Sequence, residues 1–376
     1  MTPSDADFEK FRACVERKTA PEDVPLADEI VKKIPIYAYQ TFADAAKGDP
    51  KPLMSELIDV LNDGAGVIVI KQGIADHSII DRATDVFEHI IRDESASGAG
   101  GGDHFAKPGA NNRVWNAAEK HCLADSANFA AYYATDAIAL PSRAWLGLGY
   151  QVTAQVNRVN PGGAAQVPHR DYHLGFMTRE EAAAYPSHIH ALSPVLTLQG
   201  AVAHCDTPVE SGPTMLLPFS QTFQEGYLAF AGQEYQDYFA QHYVQMPLEK
   251  GDVLFFSPAV MHGAGNNVSS DIYRMANLLQ VGSGFGRSIE SVNRTNMVRA
   301  LYPVLSNTDL SEHAMENVIA ASAEGYPFPT NLDRDLPDGG LRPPSQADRL
   351  RKALAQGLSP DAFNALMDTY DHQRLT

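Results

Sequence analysis

The chain has 376 residues, of which 44% are hydrophobic and 20% charged, so it reads as an ordinary globular protein with room for one large domain or two average ones. With 29 Lys and Arg against 46 Asp and Glu, its formal net charge of -17 argues against nucleic acid as a partner, because a phosphate backbone would be repelled. Its three scattered cysteines argue against a disulfide framework or a thiolate zinc site. Since neither a signal peptide nor a membrane span is visible, we expect a cytoplasmic protein without a membrane partner.

The N-terminal part of the chain contains few regular patterns before residue 50. Residues 1–50 are interrupted by prolines, which predicts an irregular arm with one short helix. From Leu53 the apolar residues recur at helical spacing, Gly64 to Gly66 end this helix, and the apolar run from Val67 to Ile70 predicts a buried strand. A second amphipathic helix follows and ends near Glu94.

The middle of the chain has the pattern of a β protein. Between Leu140 and Val281, short apolar runs are separated by Gly, Pro, Asn and Asp, which predicts an antiparallel sandwich or barrel. Beyond Leu305 helical periodicity returns, interrupted by a Pro-rich connector that we expect to be extended. The predicted strands are Tyr150 to Val159, Val195 to Cys205, Thr214 to Leu217, Gly251 to Phe256 and Ile272 to Val281, and the predicted C-terminal helices are 312–323, 346–356 and 361–370.

Three residues of this region form a candidate metal site. His169 and Asp171 flank one residue at the end of a candidate strand, and side chains two apart in an extended segment point to the same side. His262 follows the strand that ends at Phe256, and a jelly roll can bring such distant strand ends together. Two His and one carboxylate on one face of an octahedron form the facial triad of non-heme Fe(II) oxygenases. We therefore interpret His169, Asp171 and His262 as metal ligands and catalytic residues.

An arginine within an apolar strand is the second indication of function. Arg274 lies in the strand-like run from Tyr273 to Leu278, where a buried charge needs an anionic partner. One candidate partner is the distal carboxylate of a 2-oxo acid, which a guanidinium group can bind through two hydrogen bonds. The other is a nearby Asp, in an ordinary ion pair.

Four segments, in this order, resemble the phytanoyl-CoA dioxygenase-like (PhyH) family of Fe(II)/2-oxoglutarate-dependent oxygenases. They cover about Leu53 to Val281 and comprise LIDVLNDGAGVIVI with the helix after it, PGGAAQVPHRDYH, LQGAVAHCDTPVESGPTMLLPFSQTF, and GDVLFFSPAVMHGAGNN with YRMANLLQ. The resemblance implies a mainly β fold with flanking helices, in which a double-stranded β-helix (jelly roll, cupin-like) core carries N-terminal and C-terminal helical additions. We expect an arm over residues 1–50, the oxygenase domain over 51–305, and a helical extension packed on the core over 306–376.

The resemblance also implies the roles of individual residues. The three metal-ligand candidates take the positions of the iron ligands, and Arg274 takes that of the partner of the 2-oxoglutarate C5 carboxylate. Gln155 and Asn157 correspond to positions that contact the cosubstrate, and Gln199 takes a place near the iron. Fe(II), with 2-oxoglutarate and O2 as cosubstrates, is therefore expected.

The sequence departs from the family pattern in two places. Family members commonly have Ser or Thr two residues after the distal His, donating to the same carboxylate as the Arg, whereas this chain has Ala264; Ser257 is a candidate to supply the hydroxyl. The usual PGSH segment is replaced by residues 218–221, PFSQ, which we expect to affect a turn rather than the chemistry. Because Asp171 is present, the chain does not resemble the halogenating subgroup, so oxygen insertion or desaturation is favoured.

Candidate substrate-binding residues lie on both sides of the first metal-ligand segment. Trp115 lies beside Arg113, a pairing that suits an anionic or ring-bearing substrate, and the alternative is a packed Trp covered by the Arg stem. Tyr172 and His173 are adjacent to the ligands and are candidates to reach substrate; for His173 the alternative is packing over the metal loop. The long segment from Leu174 to Pro194 is a candidate lid.

The favoured interpretation is a 2-oxoglutarate-dependent dioxygenase that hydroxylates, or otherwise oxidises, a C–H bond of a small organic substrate and releases succinate and CO2. One alternative is a non-redox jelly-roll enzyme, an isomerase or hydrolase with a divalent ion at the same three ligands, which would have no need of Arg274. Another is a non-enzymatic binding or sensing protein on the same scaffold. The C-terminal helices are candidates to cover the barrel, to form a homodimer interface or to complete the substrate pocket.

Overall fold

Two β-sheets form the centre of the protein in the computed structural model, which describes residues 7–97, 110–171 and 177–375. The strands are β1 (Glu29–Val31), β2 (Ile34–Ala38), β3 (Val67–Lys71), β4 (Asn111–Val114), β5 (Gln151–Val159), β6 (Thr197–Ala203), β7 (Met215–Leu217), β8 (Val244–Gln245), β9 (Val253–Phe256), β10 (Met261–Gly263) and β11 (Arg274–Gly282). The large sheet has the order β1-β2-β3-β9-β6-β11-β5-β4, and the small sheet has the order β10-β7-β8.

The strand pairing confirms the predicted double-stranded β-helix core with flanking helices. All pairs are antiparallel except β2 with β3, and the long strand β11 lies between β5 and β6. Each of the five strands predicted between Leu140 and Val281 is observed, with ends shifted by a few residues. Such shifts are expected because strand ends are set by pairing with distant segments rather than by local sequence.

Helices hold more residues than strands and surround the core. The helices are α1 (Phe8–Val15), α2 (Tyr39–Lys47), α3 (Lys51–Asn62), α4 (His77–Ser97), α5 (Ala117–Ala124), α6 (Ser126–Tyr133), α7 (Asp136–Leu146), α8 (Arg179–Ala183), α9 (Ser187–Leu192), α10 (Gly226–Ala229), α11 (Gln233–His242), α12 (Arg294–Leu305), α13 (Glu312–Ser322), α14 (Gln346–Gln356) and α15 (Pro360–Arg374). In the described part of the chain, none is long and apolar enough to cross a membrane.

The two faces of the large sheet have different environments. On β5, Val152, Ala154 and Val156 belong to the main apolar core, which is shared with the surrounding helices. Successive strand side chains alternate between faces, so Gln155 and Asn157 point to the opposite face. That face, which we call the inner face, is directed toward the small sheet, because residues of both sheets share a second apolar cluster.

The described residues 7–50 of the N-terminal arm are not irregular, which corrects the expectation of an irregular arm with one short helix. Besides the short helix α1 they form α2, β1 and β2, and β2 pairs in parallel with β3, with Ile36 opposite Val69. Ile34 and Ile36 are buried in the inner-face cluster. Proline content therefore misled the prediction: Pro35 lies inside β2, where it pairs with Ile30 of the edge strand β1.

The C-terminal helices share the main apolar core with the rest of the chain. Tyr302 of α12 stacks on Phe363 of α15, with ring centroids 4.0 Å apart, and both side chains are fully buried. Serine side chains cap α13, α14 and α15, which explains where these helices begin. The described helices beyond residue 305 thus share the main apolar core, while the division into three domains, with 306–376 as an extension packed on the core, stays a prediction.

Candidate metal centre

Two histidines and one aspartate converge at one end of the core. His169 and His262 form an antiparallel bridge, with each backbone N–H donating to the other residue's carbonyl at 2.8 and 2.9 Å. Asp171 lies beside them, with its carboxylate oxygens 3.6 Å from His169 Nε2 and 3.7 Å from His262 Nε2. The candidate ligand atoms all lie within 4.8 Å of one another. Residues predicted from separate segments are therefore brought to one point.

Both imidazole rings are held in the same way. His169 Nδ1 lies 2.8 Å from the carbonyl oxygen of Val167, and His262 Nδ1 lies 2.8 Å from that of Val260. Because a carbonyl can only accept, each Nδ1 carries the proton, and each Nε2 presents its lone pair to the centre. Backbone carbonyls that fix the tautomer in this way are typical of metal-binding histidines. The donor set therefore fits a divalent metal.

Burial favours the neutral form of the distal histidine. His262 is 6% exposed, and this burial, together with the nearby His169, lowers its pKa to about 4. The carboxylate of Asp171 acts in the opposite direction. A neutral imidazole is the form that binds metal, so His262 can bind a cation near neutral pH without first losing a proton.

Gln199 contacts the carboxylate of Asp171, while its predicted place near the iron stays a prediction. It lies on β6, is 4% exposed, and its side-chain amide donates to Asp171 Oδ2. The carboxylate also fixes the orientation of the amide, because the reverse orientation would place two oxygens together. Gln199 Oε1 is buried, and in the described part of the chain it has no hydrogen-bond partner.

Arg274 begins β11 on the inner face. It is 8% exposed, and burial lowers the pKa of its guanidinium group to about 10. Its Nη1 is buried without a hydrogen-bond partner among the described residues, and no ion pair with a described carboxylate compensates its charge. This disfavours the ordinary ion pair as its role. An unpartnered buried cation fits an anionic ligand, since burying a charge is otherwise unfavourable.

The register of β11 places the other predicted cosubstrate residues on the same face as Arg274. Arg274 lies opposite Val159, and Ala276 lies opposite Asn157, so Asn157 and Gln155 share the inner face with the arginine. Asn157 accepts a hydrogen bond of 3.1 Å from Asn111 on β4. Alternation along β5 groups Gln155 with Asn157, and the register with β11 adds Arg274 to the same face.

Of the two predicted substrate-binding pairs, Arg113 with Trp115 lies beside Gln155 and Asn157. Arg113 of β4 lies opposite Asn157 and donates to Gln155 Oε1 at 2.8 Å. Its guanidinium carbon lies 5.1 Å from the ring centroid of Trp115, so the predicted pairing of cation and ring is present. Tyr172 and His173 lie outside the described residues, as does part of the candidate lid; within 177–194 that segment forms α8 and α9.

Other residues near the site were not found by sequence reasoning. Gln280 lies opposite Gln199 on β11, and its Oε1 is buried without a partner among the described residues. The even spacing from Arg274 was the signal that could have found it. Ser257 does not take the place of the missing hydroxyl: it follows β9 at the sheet end where Phe256 pairs with Gln199, whereas Arg274 begins β11 at the opposite end.

The fold and the site together define a jelly-roll protein with a His/Asp/His metal centre. The chain belongs to the phytanoyl-CoA dioxygenase (PhyH) family, whose model matches residues 51–276. Fe(II) and 2-oxoglutarate, the expected cofactor and cosubstrate, are those of this family, and His169, Asp171 and His262 are the group in the described residues that could hold the metal.

Several solved structures are similar to this chain, while no curated protein matches it. SnoN, described as a non-heme alpha ketoglutarate dependent epimerase from nogalamycin biosynthesis, is 18% identical over 63% of this chain and 84% of its own, with a TM-score of 0.41. AviO1 from Streptomyces viridochromogenes Tue57 is 17% identical over 62% and 97%, with a TM-score of 0.45. HygX from Streptomyces hygroscopicus, with nickel and 2-oxoglutarate bound, is 15% identical over 59% and 84%, with a TM-score of 0.38. At these identities the likeness concerns the fold alone.

Proposed function

We propose that the protein is an Fe(II)- and 2-oxoglutarate-dependent dioxygenase that hydroxylates, or otherwise oxidises, a C–H bond of a small organic substrate and releases succinate and CO2. The observation that carries the proposal is Arg274, a buried cation without a protein partner among the described residues, on the inner face of a core that also holds the His/Asp/His cluster. Membership of the PhyH family supports the same reaction class.

The three ligands would hold the iron on one side and leave the other positions for cosubstrate and oxygen. His169 and His262 would bind through Nε2, since their Nδ1 protons are already donated to backbone carbonyls. Asp171 would supply the carboxylate ligand, and the amide of Gln199 would steady it. When bound, iron would activate O2, which is the oxidant, with 2-oxoglutarate as the co-reductant that is oxidatively decarboxylated to succinate and CO2.

Arg274 would bind the distal carboxylate of 2-oxoglutarate and so fix its orientation. A charge-assisted contact of this kind is favourable here because the guanidinium group is already desolvated by the surrounding protein. Gln155 and Asn157, on the same face, would contact the cosubstrate through their amides. The non-redox alternative gives no reason to keep an unpartnered arginine buried in this position.

The substrate would contact the Arg113 and Trp115 pair, which lies beside Gln155 and Asn157 on the inner face. Arg113 is held by Gln155, so a group that binds to this cation would be oriented relative to the cosubstrate. Tyr172 and His173 are proposed as further substrate contacts because they follow Asp171 directly in the sequence.

The test is the anaerobic addition of Fe(II) and then 2-oxoglutarate to the metal-free protein. We expect the visible charge-transfer band of a chelated 2-oxo acid to appear in the wild type, to be lost in His169→Ala, and to remain in His188→Ala, which removes an exposed histidine. If metal binds and no band forms, the dioxygenase proposal is wrong and a non-redox metal enzyme takes its place. If the band forms, substrates can be screened by succinate release.

A further inference from the structure

The residue between the two N-terminal metal ligands has a buried side chain that points away from them. Arg170 lies between His169 and Asp171 and is 6% exposed. Its Nη1 donates to the carbonyl oxygen of Phe223 at 3.0 Å, and its Nη2 donates to that of Ser220. Its guanidinium carbon lies 5.6 Å from the ring centroid of Tyr227. The first ligand segment is therefore attached, through this one side chain, to the turn of residues 219–226.

The same turn also holds the second ligand segment. The backbone N–H of Met261, the residue before His262, donates to Ser220 Oγ at 2.7 Å. Ser220 is completely buried. One serine thus accepts a bond from each ligand segment, through its carbonyl oxygen from Arg170 and through its hydroxyl from Met261. We call residues 219–226 the clamp turn.

The clamp turn is shaped for this contact. A Cβ atom added to Gly226 would lie 1.9 Å from the guanidinium carbon of Arg170, so a side chain at this position would expel the arginine. At the other end Phe219 has a φ of +69°, a left-handed conformation that is unfavourable for a bulky residue. Its backbone N–H donates to the carbonyl oxygen of Ala65 at 3.0 Å, which ties the turn to the start of β3.

We propose that the clamp turn is a positioning device for the metal centre, with Arg170 and Ser220 as positioning residues that fix the distance between the two ligand segments. This inference rests on the proposed metal centre but not on the identity of the substrate. Neither residue reaches the metal, because Arg170 points out of the ligand strand and Ser220 bonds to backbone. Their effect is transmitted through the backbone that carries the ligands, and loss of such outer contacts typically weakens metal binding by about 10- to 100-fold.

The chain offers a matched control for each residue. Arg294 is also buried and also donates to two backbone carbonyls, those of Ala321 and Val152, but it lies on α12, in a segment that carries no metal ligand. Ser322 is completely buried, and its hydroxyl bonds within α13. Arg170→Met can therefore be compared with Arg294→Met, and Ser220→Ala with Ser322→Ala, at similar losses of packing and hydrogen bonding.

The experiment is a titration of metal-free full-length protein with Co(II), whose visible bands report both binding and coordination geometry. It is carried out where circular dichroism shows every variant to be folded. Arg170→Met and Ser220→Ala are expected to weaken Co(II) binding about tenfold or more and to change the band shape, while the two control variants leave both unchanged. Ser220→Cys, which keeps the size and weakens the acceptor, should lie between Ser220→Ala and the wild type.

Equal Co(II) affinity and identical bands in the wild type and both clamp variants would overturn the inference, as would equal losses in the clamp and control variants. If Arg170→Met does not fold, the serine pair decides the question alone. A wild-type protein that binds no Co(II) in a His169-dependent way would instead overturn the metal centre itself, so the two failures are distinguishable.

Discussion

Two buried arginines of this protein have opposite surroundings. Arg294, between α12 and the sheet, donates to the carbonyl oxygens of Ala321 and Val152 at 3.2 and 2.9 Å, and Glu324 lies 3.5 Å from its Nε. Arg274, on the inner face, has a buried Nη1 without a partner in the described part of the chain. Burial lowers the pKa of both guanidinium groups, because removal from water destabilises the charged form of each.

The difference separates a structural cation from a binding cation. Around Arg294 the protein itself supplies the acceptors, so the charge contributes to the packing of the C-terminal helices. Around Arg274 no described residue accepts a hydrogen bond from the buried Nη1, and leaving a buried donor unsatisfied costs about 1–3 kcal/mol. Such a site is stabilised when an anion enters it, which is the behaviour expected for a cosubstrate pocket.

The largest effect is expected for Arg274→Met. Since the cation is the proposed partner of the distal carboxylate, 2-oxoglutarate binding should weaken by about 2–5 kcal/mol, measured by titration of the charge-transfer band. The free energy of unfolding of the cosubstrate-free protein should be unchanged or higher, because an uncompensated charge is removed from the core. Cosubstrate affinity equal to that of the wild type would refute the role given to Arg274.

The reverse pattern is expected for Arg294→Met. Three acceptors lose their partner, so the free energy of unfolding should fall by about 2–4 kcal/mol in urea denaturation. The 2-oxoglutarate affinity of the folded protein should not change. A variant with the same free energy of unfolding as the wild type would show that Arg294 does not stabilise the protein. The contrast between Arg294 as a structural cation and Arg274 as a binding cation would then be wrong.

Two buried histidines on the helix-packed side of the large sheet predict how the stability of the protein depends on pH. His204 lies between Thr84 Oγ1 and the hydroxyl of Tyr132, at 2.8 and 2.9 Å, and burial lowers its pKa to about 3. His121, beside Asn128, has its pKa lowered to about 4 by the same cause. Both histidines are neutral in the folded protein at pH values where the unfolded chain already binds a proton, near its ordinary pKa of about 6.5.

Because the unfolded state binds more protons, these two histidines should make stability fall as the pH drops below about 6.5. Their contribution is complete above that pH and is lost toward the folded pKa values, with a limiting slope of about 2.7 kcal/mol per pH unit for two groups. In urea denaturation between pH 7 and 4.5, His204→Gln should lower the slope by up to about 1.4 kcal/mol per pH unit relative to the wild type, the limiting contribution of one group. His188→Gln, at an exposed position, should leave the slope unchanged.

The metal ligands and Arg274 could be predicted because their signals are local. The spacing of His169 and Asp171 fixes their common side, strand alternation groups Gln155 with Asn157, and a charge in an apolar strand marks Arg274. The strand pattern alone predicted an antiparallel sandwich or barrel, and the resemblance to the PhyH family specified the jelly-roll core. The strand register then placed them on one face, as the structure shows.

Long-range contacts and fully buried helices could not be predicted in this way. The bonds from Arg170 to the clamp turn join residues that are far apart in sequence, and nothing local to HRD marks the arginine as buried. The helix α7 is buried on nearly all sides, so it lacks the polar stripe that reveals an amphipathic helix, and Pro141 within it suggests a break. In the arm, β1 is too short to show a pattern and β2 contains Pro35; β2 is defined by pairing with β3, and β1 by pairing with β2.

The smallest effect is expected at the position where the chain departs from its family. Ala264 lies two residues after His262, and its backbone is held on both sides by Gln166, whose Oε1 accepts from the Ala264 N–H at 3.2 Å and whose N–H donates to the Ala264 carbonyl at 2.9 Å. Since side chains two residues apart in an extended segment point to the same side, a hydroxyl added in Ala264→Ser should lie on the side of His262, where the carboxylate bound by Arg274 is expected. One added hydrogen bond should strengthen 2-oxoglutarate binding by about 1 kcal/mol, or about fivefold.

In the Arg274→Met background the gain should disappear, because the carboxylate is no longer held within reach. An equal gain in both backgrounds would show that the hydroxyl acts elsewhere, and no gain in either would mean that this chain places its cosubstrate differently from the relatives that have Ser or Thr at this position.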